Sequence, residues 1–306
     1  MHSLSVNIAG VEWKTPLTTA SGIVNSGKEY GIYTDLTWLG ALTTKGVSQH
    51  EWMGNTVPRI TETYGGMLNS IGVQNLGVEG FIKADLPYLN KLDSCVIVNV
   101  CGKTIDEYVA VVERLSSEVA VDMLEINLAP LDPTSTNDWP DFSSDPAITT
   151  ALVSAVRKVT KLPMIVKLSP NSLTNLVDVA KAAEAAGADA LSMISGIIGM
   201  RINPHNRRPG LGNKLGALTG PAIKPIGVAS VYRVKQSGVG IPLIGIGGIT
   251  RGDDVVEYML AGASAVGVGT ANFSNPRVTM EIISQLKAYM DMHNLSDINE
   301  LVGAAL

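Results

Sequence analysis

Short apolar runs alternate with stretches of helical periodicity along almost the whole chain, which is the pattern of repeated parallel βα units. Eight runs predict core strands at Leu17–Ala20, Ala41–Lys45, Cys95–Val100, Met123–Asn127, Met164–Leu168, Ala190–Ile194, Leu243–Ile246 and Ala265–Val268. Between them, Thr104–Ser117, Asp145–Thr160, Leu173–Ala186 and Asp253–Ala261 repeat apolar positions at helical spacing. Near the start, Leu4–Ile8 and Val11–Trp13 flank an Ala9-Gly10 turn and predict a small hairpin across the bottom of the sheet. The expected fold is α/β: a (β/α)8 TIM barrel in a single domain over residues 1–306, with that N-terminal β-hairpin and long loops on the C-terminal face. Those loops are His50–Asn75 after the second strand and Gly196–Gly220 after the sixth, both longer than a compact domain needs for connection alone.

The last two strands end in small residues. Ile241-Pro-Leu-Ile-Gly-Ile-Gly-Gly-Ile249 is followed by Ala263-Ser-Ala-Val-Gly-Val-Gly-Thr270. Glycine lets backbone approach a ligand closely and turns N–H groups toward an anion. Two such ends on consecutive parallel strands describe the phosphate site of a barrel, at Gly247, Gly248, Gly269 and Thr270. A phosphorylated cofactor at the barrel mouth is therefore expected.

Other strand ends carry polar groups: Ala20-Ser21, Thr44-Lys45, Asn99, Asn127, Lys167 with Ser169, and Ser195. Two lysines in one pocket suit an anionic or electron-rich ligand, such as a flavin that gains negative charge on reduction. Asn69, Asn99 and Asn127 offer both donors and acceptors to a flat heterocycle. A lone lysine at a strand end more simply reaches solvent, and a lone asparagine more simply makes a turn. The cluster outweighs those readings. Arg207 and Arg208 read as a solvated loop face, and His2, His50, His205 and His293 fall in no acid–base or metal arrangement.

Composition narrows the classes further. The 306 residues are 45% hydrophobic with 31 glycines, as suits a strand-dense enzyme, and the net charge of −5 provides no basic field for nucleic acid. No apolar run reaches membrane-spanning length, and the N-terminus has no signal-peptide arrangement, so no membrane partner and a cytoplasmic location are expected. Cys95 and Cys101 have neither metal spacing nor a disulfide framework.

The chain resembles class 1 dihydroorotate dehydrogenase catalytic chains. Ala20-Ser21-Gly22, Thr44-Lys45, Asn55-Thr-Val-Pro-Arg59, Gly66-Met-Leu-Asn-Ser-Ile-Gly72 with Gln74-Asn75, Asn99-Val-Cys-Gly102 and Lys167-Leu-Ser-Pro170 carry the resemblance. Gly199-Met-Arg-Ile202, Gly220-Pro-Ala-Ile-Lys-Pro225, Gly245-Ile-Gly-Gly248 and Gly269-Thr-Ala-Asn272 continue it, the first two being similar to subclass 1B. The resemblance implies FMN lined by Ala20, Ser21, Lys45, Asn99, Asn127, Lys167, Ser195 and Gly220, with its phosphate on Gly247, Gly248, Gly269 and Thr270. It implies substrate contacts from Asn69, Asn127 and Ser195, a homodimer, and a separate FAD and iron–sulfur electron-transfer subunit. The implied reaction oxidises dihydroorotate to orotate in pyrimidine biosynthesis. A base takes the C5 proton while the C6 hydride passes to the flavin.

One loop departs from the family. Where the family has Asn-x-Ser-Cys-Pro-Asn, with the cysteine as base, this chain reads Glu125-Ile-Asn-Leu-Ala-Pro-Leu-Asp-Pro-Thr134. Counting from Asn127 puts Pro130 at the cysteine, whereas a two-residue insertion puts Asp132 there. Asp132, Thr134 and Ser135 are the candidate bases, beside Lys45 as the electrostatic group. The family asparagine at the end of strand 6 is Ser195. These changes keep two other readings open: a paralogue that oxidises a different small molecule, and a flavin-binding electron-transfer subunit or pseudo-enzyme.

Overall fold

The computed structural model describes residues 2–129, 141–172 and 175–306. Among these, eight parallel strands close a barrel. They are β1 (Leu17–Thr19), β2 (Ala41–Thr43), β3 (Cys95–Val100), β4 (Met123–Asn127), β5 (Met164–Lys167), β6 (Ala190–Met193), β7 (Leu243–Ile246) and β8 (Ala265–Val268). Closure is made by β8 on β1, with Val266 opposite Leu17. Each predicted strand is present, shortened by at most two residues at its C-terminal end.

Helices cover the outside: α1 (Gly77–Ala84), α2 (Ile105–Leu115), α3 (Pro146–Arg157), α4 (Leu176–Ala185), α5 (Lys224–Gln236), α6 (Gly252–Leu260) and α7 (Val278–His293). Local chemistry sets their starts. Thr104 caps α2 by accepting from Glu107 N at 3.2 Å, and Asp145 caps α3 by accepting from Ala147 N at 2.6 Å, with Pro146 at the first helical position. Asp254 in the first turn of α6 accepts from the backbone of Thr250 and Arg251 and binds Lys224 at 2.9 Å, which ties α6 to α5. The buried faces Val111, Val112 and Leu115 of α2 and Leu152, Val153 and Val156 of α3 pack on the strands in one core. After β1, two 3-10 turns, Tyr30–Ile32 and Leu36–Trp38, stand where a helix would be.

The N-terminal hairpin pairs Val6–Ile8 with Val11–Trp13. Ala9 (φ 53°) and Gly10 (φ 86°) take the positive-φ turn that matches strand twist. Trp13 is fully buried beside Gly40, just before β2, so the hairpin lies at the N-terminal ends of the strands.

The two long segments are not simple loops. Ile60–Thr63, Gly66–Asn69, Leu215–Thr219 and Ile197–Met200 form a four-stranded antiparallel sheet beside the mouth. Asn69 pairs with Ala217 and Met67 with Thr219. Because side chains alternate along a strand, one face presents Met67, Asn69, Ala217 and Thr219 while Leu68 is buried on the other. The sheet supplies a wall that the barrel lacks.

Candidate active site at the barrel mouth

A cavity of about 300 Å³ opens at the C-terminal ends of the strands. Ala20, Ser21, Lys45, Asn99, Asn127, Lys167 and Ser195 reach it from β1 to β6, and Gly247, Gly248, Gly269 and Thr270 from β7 and β8. Asn69 and Gly220 reach it from the added sheet. Every site residue expected from the sequence thus faces one cavity except Asp132, Thr134 and Ser135, which lie outside the described residues. None of the four histidines lines it. His2 binds Asp291 and His293 stacks on Tyr289, both at the far C-terminal helix. Arg207 and Arg208 are exposed.

At the β7–β8 end, the backbone sets the geometry. Gly248 has φ 71°, and a Cβ there would lie 2.7 Å from Lys224 Cβ and 2.9 Å from the Gly220 carbonyl. Among the described residues, the N–H groups of Gly248, Gly269 and Thr270 donate to no protein backbone or side-chain acceptor. Free N–H groups on two adjacent strand ends make an anion cradle. Tyr258 of α6 anchors this turn. Its hydroxyl donates to the Gly247 carbonyl at 2.8 Å and lies 3.2 Å from that of Ile246. Its ring fills a slot that exists only because Gly245 has no side chain, since a Cβ there would sit 2.3 Å from the ring. Tyr258→Phe is expected to cost about 1 kcal/mol, the net worth of a buried hydrogen bond. Thermal melting should fall by a few degrees, and an unchanged melting temperature would show that the hydroxyl does not anchor the turn.

The floor is polar and ordered. Lys167 is 6% exposed and its Nζ donates to Ser21 Oγ at 2.6 Å. Beneath it lies Glu125, 3% exposed, whose Oε1 is 3.8 Å from Lys167 Nζ. Asn99 Nδ2 donates to Glu125 Oε1 at 2.6 Å, and Ser192 Oγ donates to Oε2 at 2.7 Å. Asn127 closes the far side. Its backbone carbonyl accepts from Tyr108 OH at 2.6 Å, and its Oδ1 accepts from Ala129 N at 3.2 Å, which fixes the exit of the loop after β4.

Lys45 is half-buried at the end of β2, with no carboxylate within salt-bridge distance among the described residues. Burial, helped by the like charge of Arg59, pulls its pKa below the usual lysine range. Among the described residues, Asn69 Nδ2 donates only a long 3.3 Å bond, to the Ala217 carbonyl. Ser195 Oγ is buried without a partner among the described residues. Ser195, Lys45 and the open N–H groups of Gly248, Gly269 and Thr270 all belong to the lining of the same cavity. Together they fit a phosphorylated, heterocyclic group and leave those atoms unsatisfied without one.

The sequence did not single out Glu125 or the wall residues Ile60, Met67, Ala217 and Thr219. For the wall a signal existed: two four-residue strands around Tyr64-Gly65, with Gly65 at φ 80°. For Glu125 there was none, because a carboxylate inside an apolar strand shows its partners only in three dimensions. Gln74 and Asn75, quoted with the motif, do not line the cavity. Gln74 accepts from Arg59 at 2.5 Å, and Asn75 holds the Ser48 and Gly77 backbones at 3.2 and 2.8 Å. Cys101 is also no candidate base. It is fully buried behind Gly46, and burial, then the charge of Glu107, pushes its thiol pKa far up. Burial likewise pushes Cys95, at the opposite end of β3, up to about 12.

A closed (β/α)8 barrel with a polar cavity at the C-terminal ends of its strands has the architecture of a barrel enzyme. Residues 3–290 match the dihydroorotate dehydrogenase family, and the chain belongs to it. It is 51% identical, over 98% of its length and 98% of the relative's, to "Dihydroorotate dehydrogenase B (NAD(+)), catalytic subunit" of Lachnoclostridium phytofermentans. It is 48% identical to the protein of that name from Alkaliphilus oremlandii, over 99% of this chain and 98% of the other. A solved structure of dihydroorotate dehydrogenase from Eimeria tenella in complex with ferulenol superposes with a TM-score of 0.80, covering 99% of this chain and 88% of that one. At 20% identity that likeness speaks for the fold.

Proposed function

We propose that the chain is an FMN-dependent catalytic subunit that oxidises dihydroorotate to orotate in pyrimidine biosynthesis. The carrying observation is the single cavity that joins the free Lys45, the orphaned Ser195 hydroxyl and the open N–H groups of Gly248, Gly269 and Thr270. The names of the relatives support the substrate and a partner linked to NAD+. In this reading Gly247, Gly248, Gly269 and Thr270 hold the phosphate. Ala20, Ser21, Lys45, Asn99, Lys167 and Gly220 line the ring and ribityl chain, and Asn69, Asn127 and Ser195 meet the substrate. When bound, FMN supplies the acceptor for the hydride leaving C6.

The chain's own groups orient and polarise. Asn127 has its carbonyl oxygens engaged, so its Nδ2, which donates to no acceptor among the described residues, is the group left for a carbonyl or carboxylate of the substrate. The C5 proton goes to a base on the loop that leaves β4 through Ala129, which itself lines the cavity. Asp132, Thr134 and Ser135 are the candidates on that loop. The protein acts as one domain in the cytoplasm, as a homodimer with an FAD and iron–sulfur electron-transfer subunit. Among the described residues no helix is long and apolar enough to cross a membrane.

Anaerobic mixing of the yellow protein with dihydroorotate tests this reading. Rapid bleaching of the flavin band is the expected result. A flavin that stays oxidised, yet is reduced by dithionite, would assign another substrate. Ser195→Asn should tighten orotate binding about tenfold, the worth of one new hydrogen bond to a charged ligand. Titrating orotate against the flavin spectrum reads this, and unaltered affinity would remove Ser195 from the substrate side.

A further inference from the structure

The two pocket lysines are not electrically alike. Lys45 has no counter-charge within salt-bridge distance among the described residues, and Arg59, whose charge it feels, has the same sign. Lys167 sits 3.8 Å from the buried carboxylate of Glu125. Barrel interiors are ordinarily filled by branched apolar side chains, and a carboxylate there is costly unless donors surround it. Donors from three other strands meet Glu125: Asn99 on β3, Lys167 on β5 and Ser192 on β6.

We infer that Glu125 is a positioning residue that sets the reduction potential of the bound flavin, by cancelling the charge of Lys167 and holding Asn99 with its carbonyl oxygen free for the ligand. The inference rests on the proposed flavin site. A carboxylate can only accept, so it fixes the Asn99 amide with Nδ2 downward. Asn99 Oδ1 is then left on the side of Gly46, another cavity residue, and offers an acceptor to a ligand N–H. A reduced flavin carries more negative charge than an oxidised one, so each uncompensated cation nearby favours reduction. In a buried site that preference is strong. With Glu125 in place, Lys45 is the cation that acts. Lys167 contributes a hydrogen-bond donor with its charge balanced from below.

The test is the midpoint potential of bound FMN in the holoenzyme, measured against reference dyes with FMN saturating. Glu125→Gln keeps the shape, and it keeps the hydrogen bonds too, since Asn99 can donate to the new amide oxygen and Ser192 can accept from its nitrogen. It removes only the negative charge. Reduced FMN should then gain at least tenfold over oxidised FMN in relative affinity, a rise of about 30 mV for a two-electron couple. Lys167→Met should shift the potential the opposite way by a similar factor, and the double variant should return to within about threefold of wild type. Ser192→Ala loses a hydrogen bond without changing charge, so it should move the ratio less than about twofold. An unmoved potential in Glu125→Gln, or an equal shift in Ser192→Ala, would overturn the inference. If Glu125→Gln alone does not fold, the double variant beside Lys167→Met decides: a return to within about threefold of wild type upholds the inference, and a potential that stays at the Lys167→Met value overturns it. A wild-type protein that takes up no FMN would instead remove the proposed function, and this inference with it.

Discussion

Lys45→Ala should slow flavin reduction by dihydroorotate about 100- to 1,000-fold while leaving FMN bound, the usual loss when one preorganised charge at a developing anion is removed. The side chain is half-buried, carries no counter-ion among the described residues and lines the cavity. The proposed phosphate cradle lies on other strands, which would support binding independently. Stopped-flow absorbance separates the two effects. A variant that reduces its flavin at the wild-type rate would take Lys45 out of the chemistry. The pH dependence has a definite sign. Burial and Arg59 lower the folded-state pKa, so the cation is present below that value and is lost as pH rises through it. Reduction should therefore fade below the pH near 10.4 at which an ordinary lysine titrates. Stability runs the other way. Between the lowered folded value and the unfolded one, the unfolded chain binds more protons, so the flavin-free fold gains stability as pH rises through that window. Below it the penalty is fully present, and flavin-free Lys45→Met should melt higher than wild type at neutral pH. A lower melting temperature would show that the charge costs the fold nothing.

Gly248→Val should weaken FMN binding about 100-fold, close to 2.7 kcal/mol. A β-branched residue at φ 71° is strained, and its Cβ would meet Lys224 Cβ at 2.7 Å and the Gly220 carbonyl at 2.9 Å. Relief requires the turn to rotate, which takes the Gly248 N–H off the anion. Gly269→Ala is the control. Its new methyl meets Ala20 Cβ at an ordinary 3.4 Å, so the loss there should be below about tenfold. Equilibrium dialysis of FMN, with circular dichroism to verify folding, reads both. Equal retention in Gly248→Val and wild type would place the phosphate elsewhere.

The barrel was legible because burial on parallel strands writes itself as apolar runs, and Cys95–Val100 and Met123–Asn127 appear with the boundaries expected. The proposed phosphate end was legible because Gly247 and Gly248 adopt positive φ values that few other residues tolerate. The added sheet was not. Its strands are short, only one pair is joined by a tight turn, and Asn69 finds Ala217 across 148 residues of sequence. Tyr258 was missed for a related reason. It reads as one more apolar position on α6, and its hydroxyl bond to Gly247 is visible only when helix and strand are packed. Gly245, quoted with the cofactor motif, serves that tyrosine rather than a ligand.

The pairing of Met67 with Thr219 and of Asn69 with Ala217 also fixes when the site can form during synthesis. A nascent chain carrying only the first long segment has Leu68 with neither Leu218 nor Gly199 to cover it. The barrel is itself an open sheet until Val266 reaches Leu17. Domains with such distant pairings fold slowly and expose apolar edges while they wait. Premature termination between these points would leave a ribosome-released fragment with sticky strands and no cofactor grip. The cavity draws on both β7 and β8 at the end of the chain, so flavin loading is expected to follow their synthesis.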